Sequence, residues 1–492
     1  MLSQQSLDRR TNQNIALSFS DIPLETTYVD QIKSSTGITV MAQSKWLNAL
    51  HIRGTQVNIV ALKNLAFVDK VVFANKNLNT TSKKVSENKI AQTNDKLKTT
   101  IDYAYGTSAN QIQMLNGQVL HQQNYTGSGK IIAVLDAGFP GVNTAQPFQN
   151  LINNNRILGG YDFVSRSTNF YAGDDHGTMV LSTMGGYTEN ALIGTAPDAS
   201  YYLFITENDA FENPVEESLW VEAAEKADSL GVDIITTSLG YFSYDNANYS
   251  HTYSDMNGIT NFISRGAEIA FSKGIIVVAS AGNEGNTTEK HIGAPADAVS
   301  VITVGAVTAA KVRSGFSSIG PSFDNRIKPD VMAQGTAAVV SNTSGSIVTV
   351  NGTSFSCPIM AGMIACLWQA FPTKTNQEIR DMVIHSSDKY LTPDNNYGYG
   401  IPKFVTTLGI TTFESKDFIV YPNPAVTNIT FSFSNEINDA SVSIYSILGQ
   451  KVIDKKITNQ NPNLSVESLK SGLYFYTFDT EGLHKTGKII KQ

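Results

Sequence analysis

Three short segments hold side chains that could do chemistry together. Asp136 ends the apolar run 131–135 and is followed by Ala137 and Gly138. His176 lies in Asp175-His176-Gly177-Thr178-Met179-Val180. Ser354 lies in Asn351-Gly352-Thr353-Ser354-Phe355-Ser356-Cys357-Pro358, at the start of an apolar stretch. Singly, each has a plainer reading: the Asp as a turn residue, the His as a satisfied polar group, the Ser as a helix cap. Together they describe an activated nucleophile. A serine hydroxyl attacks poorly at neutral pH until a neighbouring His takes its proton. The His in turn needs a carboxylate to fix its tautomer and stabilise the imidazolium. The alternative order Ser, Asp, His, with a G-x-S-x-G elbow, is absent, because Ser356 stands two positions after Ser354. A helix opening at Ser354 would offer free N–H groups and its positive dipole end to a developing oxyanion. Asn283, in Ala281-Gly282-Asn283-Glu284-Gly285, can add a side-chain N–H donor. Its plainer reading is a turn residue beside glycines.

Such groups must be held by a rigid scaffold. The apolar runs 131–135, 201–205, 232–236, 275–279 and 299–304 predict buried strands, with helical segments between several of them. That alternation predicts an α/β fold, a parallel sheet with helices on both faces, over residues 106–408. In such sheets the ligand site lies beyond the carboxyl ends of the strands. Asn213-Pro214-Val215-Glu216 reads as a capped helix start, with Gly231 and Gly274 as helix stops. Ahead of this domain, residues 1–75 predict a small α+β unit: helix 28–35, strand 46–52, helix 55–65 and strand 67–73. Residues 76–105 predict a linker open to cleavage, rich in Asn, Lys and Thr at its start. Behind it, residues 413–492 predict a small β-sandwich with strands at 428–433, 440–445, 451–455 and 473–478.

Composition narrows the class. A chain of 492 residues is long enough for several domains. Charged residues make up 16%, and the net charge is −7 without a long basic run, which argues against nucleic acid as a partner. The apolar stretch 359–371 contains Gln369 and is too short for a membrane span, which needs about 20 residues. Cys357 and Cys366 on one helix would face opposite ways about 13 Å apart along the axis. A disulfide needs Cα atoms within about 7 Å, so they should not pair.

Over residues 106–408 the chain resembles the subtilase family of serine peptidases. The matching pieces are Val134-Leu135-Asp136-Ala137-Gly138, the His, Asn and Ser segments, and Ser238-Leu239-Gly240. The order Asp, His, Ser is also that of subtilisin. The resemblance implies a catalytic triad of Asp136, His176 and Ser354, and an oxyanion hole of Asn283 and the Ser354 N–H. It also implies peptide binding along Ser238, Leu239 and Gly240, with Ala281 and Gly282 walling the first pocket. No cofactor is implied for catalysis; structural Ca²⁺ is frequent in the family, but no ligand set is assigned. Three positions depart from the family pattern: Ala137 for Ser or Thr, Phe355 for Met, and Leu239 for Trp.

The flanks take meaning from this. Residues 1–75 resemble the family's inhibitory propeptide, lacking its first strand. Residues 413–492 resemble the C-terminal sorting domain of type IX secretion. The matching pieces are Tyr421-Pro422-Asn423-Pro424, Ile447-Leu448-Gly449-Gln450-Lys451, Ser471-Gly472-Leu473-Tyr474-Phe475 and a basic end. The implied protein is a monomeric serine endopeptidase made as a zymogen. It would cross a Gram-negative periplasm, meet the type IX machinery, and act on proteins or peptides outside the cell or at its surface. Met1-Leu2-Ser3-Gln4 does not open a signal peptide, so the expectation is a start lying further upstream. Two rival readings are a catalytically weak exported binding protein on the same fold and an intracellular processing protease. The first should have lost a triad member; the terminal sandwich speaks against the second. The aromatic loop 241–253 either lines the groove or packs on itself.

Overall fold

The structure is a computed structural model. It describes residues 2–79, 103–407 and 418–492, the last without 422, 434–438, 448, 459 and 481–482. The expected linker core, 80–102, and residues 408–417, where the catalytic and terminal domains are expected to meet, lie outside the described residues. The chain divides into two units, 1–409 and 410–492.

The first unit opens with helix α1 (Gln4–Asn12) and helix α2 (Thr26–Lys33). Strands β1 (Ile38–Ser44) and β2 (Ala49–Gly54) pair as an antiparallel hairpin, followed by helix α3 (Gln56–Ala61). This corrects the expected order of alternating helices and strands. Residues 67–73 form no strand; Phe67 instead stacks its ring on Tyr28 at 4.2 Å. The hairpin turns at Asn48, whose φ of 46° lies in the left-handed region that Asn tolerates. Ile32, Ile38 and Leu62 form its small core.

The hairpin lies on the larger fold. Glu225 accepts hydrogen bonds from Ser44 Oγ (2.6 Å), Lys45 N (3.2 Å) and Trp46 N (3.0 Å). Trp46 is buried in the same core cluster as Trp220.

That larger fold is a seven-stranded sheet. Its strands are β3 (Ile131–Asp136), β4 (Ile157–Asp162), β5 (Ser200–Ile205), β6 (Ile234–Thr237), β7 (Ile276–Ser280), β8 (Ile302–Val307) and β9 (Val331–Gln334). They lie side by side in the order β9-β8-β7-β6-β3-β5-β4, and every pairing is parallel. Every residue of β3 is buried, as expected for a strand covered on both faces. Ile132 and Val134 join one core with Leu203, Val278 and Val304. Ala133 and Leu135 join the other with Phe204, Ile235 and Val277.

Helix α4 (His176–Gly185) and helix α7 (Thr353–Ala370) cover the first face. Helix α5 (Val215–Leu230) and helix α6 (Phe262–Ser272) cover the second, through Trp220, Val221, Ala224, Ile263 and Ala267. Asn213 Oδ1 accepts Val215 N (3.2 Å), and Glu216 Oε2 accepts Asn213 N (3.0 Å), the reciprocal cap that the sequence predicts. Gly231 (φ 84°) and Gly274 (φ 88°) turn the chain out of α5 and α6. The strand expected at 299–304 starts later, at Ile302. Ahead of it Ser300 is tied to Glu268 through its N–H (2.7 Å) and hydroxyl (2.9 Å). Cys357 and Cys366 both lie buried and unpaired on α7, as expected.

The second unit is all antiparallel strand. Phe418–Tyr421, Asn428–Phe433 and Asn463–Ser465 form one sheet. Lys451–Thr458, Asp439–Ser446, Gly472–Thr480 and Leu483–Lys491 form the other. Ile429 and Phe431 meet Val442, Ile444, Tyr476 and Phe478 between them. No described helix is long and apolar enough to cross a membrane.

Candidate active site

Asp136 is the last residue of the central strand β3, and its side chain is fully buried. Its Oδ1 accepts the Ala137 N–H at 2.8 Å and the His176 ring at 2.7 Å, through Nδ1. The contact to a carboxylate fixes the imidazole tautomer: Nδ1 carries the proton and Nε2 is left as a base. Charge attraction from Asp136 holds His176 above the usual imidazole range, against the opposing pull of burial. His176 is the first residue of α4, and its N–H donates to Asp174 Oδ1 at 2.9 Å. The next residue explains this close fit. A Cβ on Gly177 would lie 2.9 Å from the Asp136 Cβ and 2.4 Å from Gly138 O. Glycine therefore lets the helix start press onto the end of β3. Among the described residues Asp136 Oδ2 is buried without a hydrogen-bond partner, and Ala137 has no hydroxyl to offer it.

Ser354 is the second residue of α7 and 8% exposed. Its neighbour Phe355 sets its ring 5.9 Å from the His176 ring, which brings the start of α7 against the imidazole. The Ser354 hydroxyl makes no hydrogen bond among the described residues; such contacts tighten on substrate binding. Four residues on, Pro358 lacks the N–H that would bond to the Ser354 carbonyl. Ser238 fills that place, its hydroxyl donating to Ser354 O at 2.7 Å. Ser238 thus holds the start of α7, a contact that spacing in the sequence does not reveal.

Asn283 follows β7, and its Oδ1 accepts Thr353 N (2.9 Å) and Thr353 Oγ1 (3.0 Å). An N–H can only donate, so the atom facing it must be the amide oxygen. The Asn283 NH₂ is left for another acceptor. Thr353 Oγ1 also accepts Gly282 N at 3.2 Å. Thr353 therefore brackets the Asn segment to the Ser segment, and sequence reasoning missed it; its place between Gly352 and Ser354 was the available signal. Leu239 and Gly240 leave the end of β6 beside this site. Leu239 is half-buried, and a Cβ on Gly240 would meet nothing within 4 Å. Ala281 is buried, and Gly282 takes φ 102°.

The aromatic loop packs mostly inward. Tyr241 and Tyr244 are buried and donate to Glu207 and Glu217, each at 2.6 Å. Tyr253 stacks on His291 at 4.0 Å. Among the described residues, Glu207, Glu212 and Glu216 bring carboxylate oxygens within 4.8 Å of one another. The Glu216 oxygens already accept Asn208 N and Asn213 N, and burial raises Glu216 to about 7.

Comparison with known proteins gives the chain's family. Residues 127–400, more than half of the chain, match the subtilase family. Residues 1–92 match the peptidase S8 propeptide domain of Bacteroidota, and residues 419–492 the secretion system C-terminal sorting domain. A protein with that terminal domain is secreted or held at the cell surface. Subtilisin NAT of Bacillus subtilis subsp. natto is 32% identical over 293 residues, covering 59% of this chain and 68% of that protein. The subtilisin of Bacillus pumilus is 32% identical over 293 residues, covering 59% and 94%. The solved structure of the MycP3 protease from the type VII (ESX-3) secretion system gives a TM-score of 0.50 at 19% identity. It covers 63% of this chain and 91% of that one, a likeness of fold alone. On the family match and these relatives, the chain belongs to the subtilase family and is a serine endopeptidase.

Proposed function

We propose that Ser354 is the nucleophile, His176 the general base and acid, Asp136 its orienting carboxylate, and Asn283 an oxyanion donor. The observation that carries this is the single bracket of contacts from Asp136 through His176 to the helix start that Asn283 and Thr353 hold. In this reading a peptide lies along residues 238–240 as an added strand, with Ala281 and Gly282 beside its first side chain. Ser354 Oγ attacks the scissile carbonyl carbon while His176 Nε2 takes its proton. The carbonyl oxygen, now negative, receives the Asn283 NH₂ and the Ser354 N–H. His176 then protonates the leaving amine, the C–N bond breaks, and an acyl group remains on Ser354. Water repeats the sequence and frees the acid. Every step uses protein groups and water, so no cofactor enters the reading. Residues 1–75 act as the inhibitory segment, with cleavage in the following linker. The terminal unit addresses the enzyme to type IX export across the outer membrane.

The test is covalent. A fluorophosphonate reagent should add once, and peptide mapping should place the adduct on Ser354. An adduct elsewhere, or none in processed and folded enzyme, would remove the assignment.

A further inference from the structure

Residues 3–21 are bound to the catalytic fold more tightly than their polar sequence suggests. Helix α1 buries Arg9 and Arg10 against Asp228, whose side chain is fully buried on α5. Arg9 Nη2 and Arg10 Nη2 both donate to that carboxylate, the latter at 2.7 and 2.9 Å. Arg9 also donates to Val232 O (2.5 Å) and Lys273 O (3.2 Å). Asp21 accepts from Arg10 (3.0 Å) and from Lys273 Nζ (3.1 Å), and Lys273 donates to Ser18 Oγ (2.9 Å). Backbone and amide contacts run alongside. Ser3 N donates to Ser229 O (2.8 Å), Gln13 Nε2 to Gly274 O (2.9 Å), and Asn376 N to Gln13 Oε1 (2.9 Å). A Cβ on Gly231 would lie 2.5 Å from Gln5 Cβ.

The place of these contacts matters. Ser229, Val232, Lys273 and Gly274 sit where α5 and α6 end and the chain enters β6 and β7. Asp136, Ser238 and Asn283 sit at the other ends of the strands. Six residues of extended chain, from Val232 to Ser238, span about 20 Å at roughly 3.3 Å each. This segment therefore cannot act by covering the cleft.

We propose that the C-terminal ends of α5 and α6, with Asp228 between them, form a docking site for a helical segment bearing paired arginines. Residues 3–21 occupy it as an anchor. The anchor keeps the prosegment on the enzyme after the chain is cut between residues 79 and 103, independently of the active site. It acts alongside the hairpin contact at Glu225. The inference holds whether or not Ser354 is the nucleophile.

The test uses the full chain with Ser354→Ala, so that no released prosegment is digested. A recognition sequence for a site-specific protease is inserted after Asn88. After cutting, release of the N-terminal fragment is timed by gel filtration and by dissociation from the immobilised enzyme. Arg9→Met with Arg10→Met should speed release at least ten-fold. Asp228→Asn should do likewise, and all three changes together should fall well short of the product of the two effects, because both sets of changes break the shared contact at Asp228. Unchanged release, or effects that multiply, would overturn the proposal. Should a variant fail to fold, the cut chain with native residues at all three positions supplies the second arm. Excess synthetic peptide of residues 2–22 should displace its prosegment, and the same peptide with both arginines replaced by methionine should not. Equal displacement by both peptides, or by neither, would also overturn it.

Discussion

Replacing Asn283 by leucine removes two functions that the structure separates. The first is the amide NH₂, on the far side of the amide from the oxygen that faces Thr353, the group to which the proposed reading gives the oxyanion. Losing such a donor lowers kcat by roughly 10²–10³, about 2.7–4 kcal/mol, a figure that comes from the side-chain donor of subtilisin itself. The second is the Oδ1 that holds Thr353 through two hydrogen bonds. Each neutral hydrogen bond contributes about 0.5–1.5 kcal/mol net. Asn283 is exposed, so water can take over part of that role, and the expected stability loss is the lower part of the range, about 1–2 kcal/mol. Asn283→Asp separates the two effects: it keeps an oxygen facing Thr353 while removing the donor and adding a charge. Steady-state hydrolysis of a peptide p-nitroanilide gives kcat and KM; urea unfolding gives stability. The account expects both variants to lose kcat with little change in KM, and the leucine variant alone to lose stability. A loss confined to KM, or a kcat within ten-fold of the parent, would refute the oxyanion reasoning.

Three further outcomes follow from the same contacts. His176 must be neutral to act as base, and Asp136 holds its pKa above the ordinary 6.5, so the acid limb of kcat/KM should fall above that pH. By linkage, this pair's stability contribution is full below pH 6.5 and fades as pH rises through the folded-state value; a limb below 6.5 would contradict both statements. Phe355 stands 5.9 Å from the His176 ring, where Met would be open to sulfoxide formation, so peroxide should inactivate the enzyme more slowly than its Phe355→Met variant. Equal rates would point to another group. Cys357 is a poor suspect, since burial pushes its thiol up to about 12 and leaves no reactive thiolate. Deleting residues 413–492 should leave the purified mature enzyme active but keep it in the periplasm of a type IX host; truncated enzyme found in the medium would refute the sorting role.

What was legible in the sequence follows from what kind of force places each residue. Asp136 could be read because an all-apolar run before an acid marks the end of a doubly covered strand. The starts of α4 and α7 were legible from local motifs, since glycine and hydroxyl residues punctuate them. Strand β4 was missed because Gly159 and Gly160 interrupt any apolar run, and β9 because four residues give no period. Helix α1 was missed for a different reason. Its sequence is polar but for Leu7, and it is held by Arg9 and Arg10 reaching Asp228, more than 200 positions away. The hydroxyl of Ser238 on Ser354 O was equally hidden: the vacancy left by Pro358 is visible in sequence, but its filler comes from a distant strand end. Short-range punctuation and periodicity are written in order along the chain; long-range charge pairs and carbonyl partners are not.

The central claim is that Ser354 is the group that attacks. It is tested most directly by Ser354→Ala in the purified chain, assayed for casein hydrolysis, with circular dichroism to verify the fold. The account predicts a native spectrum and almost complete loss of hydrolysis, because the triad acts as a unit and little remains once its nucleophile is gone. Near-normal casein cleavage by the folded variant would contradict it.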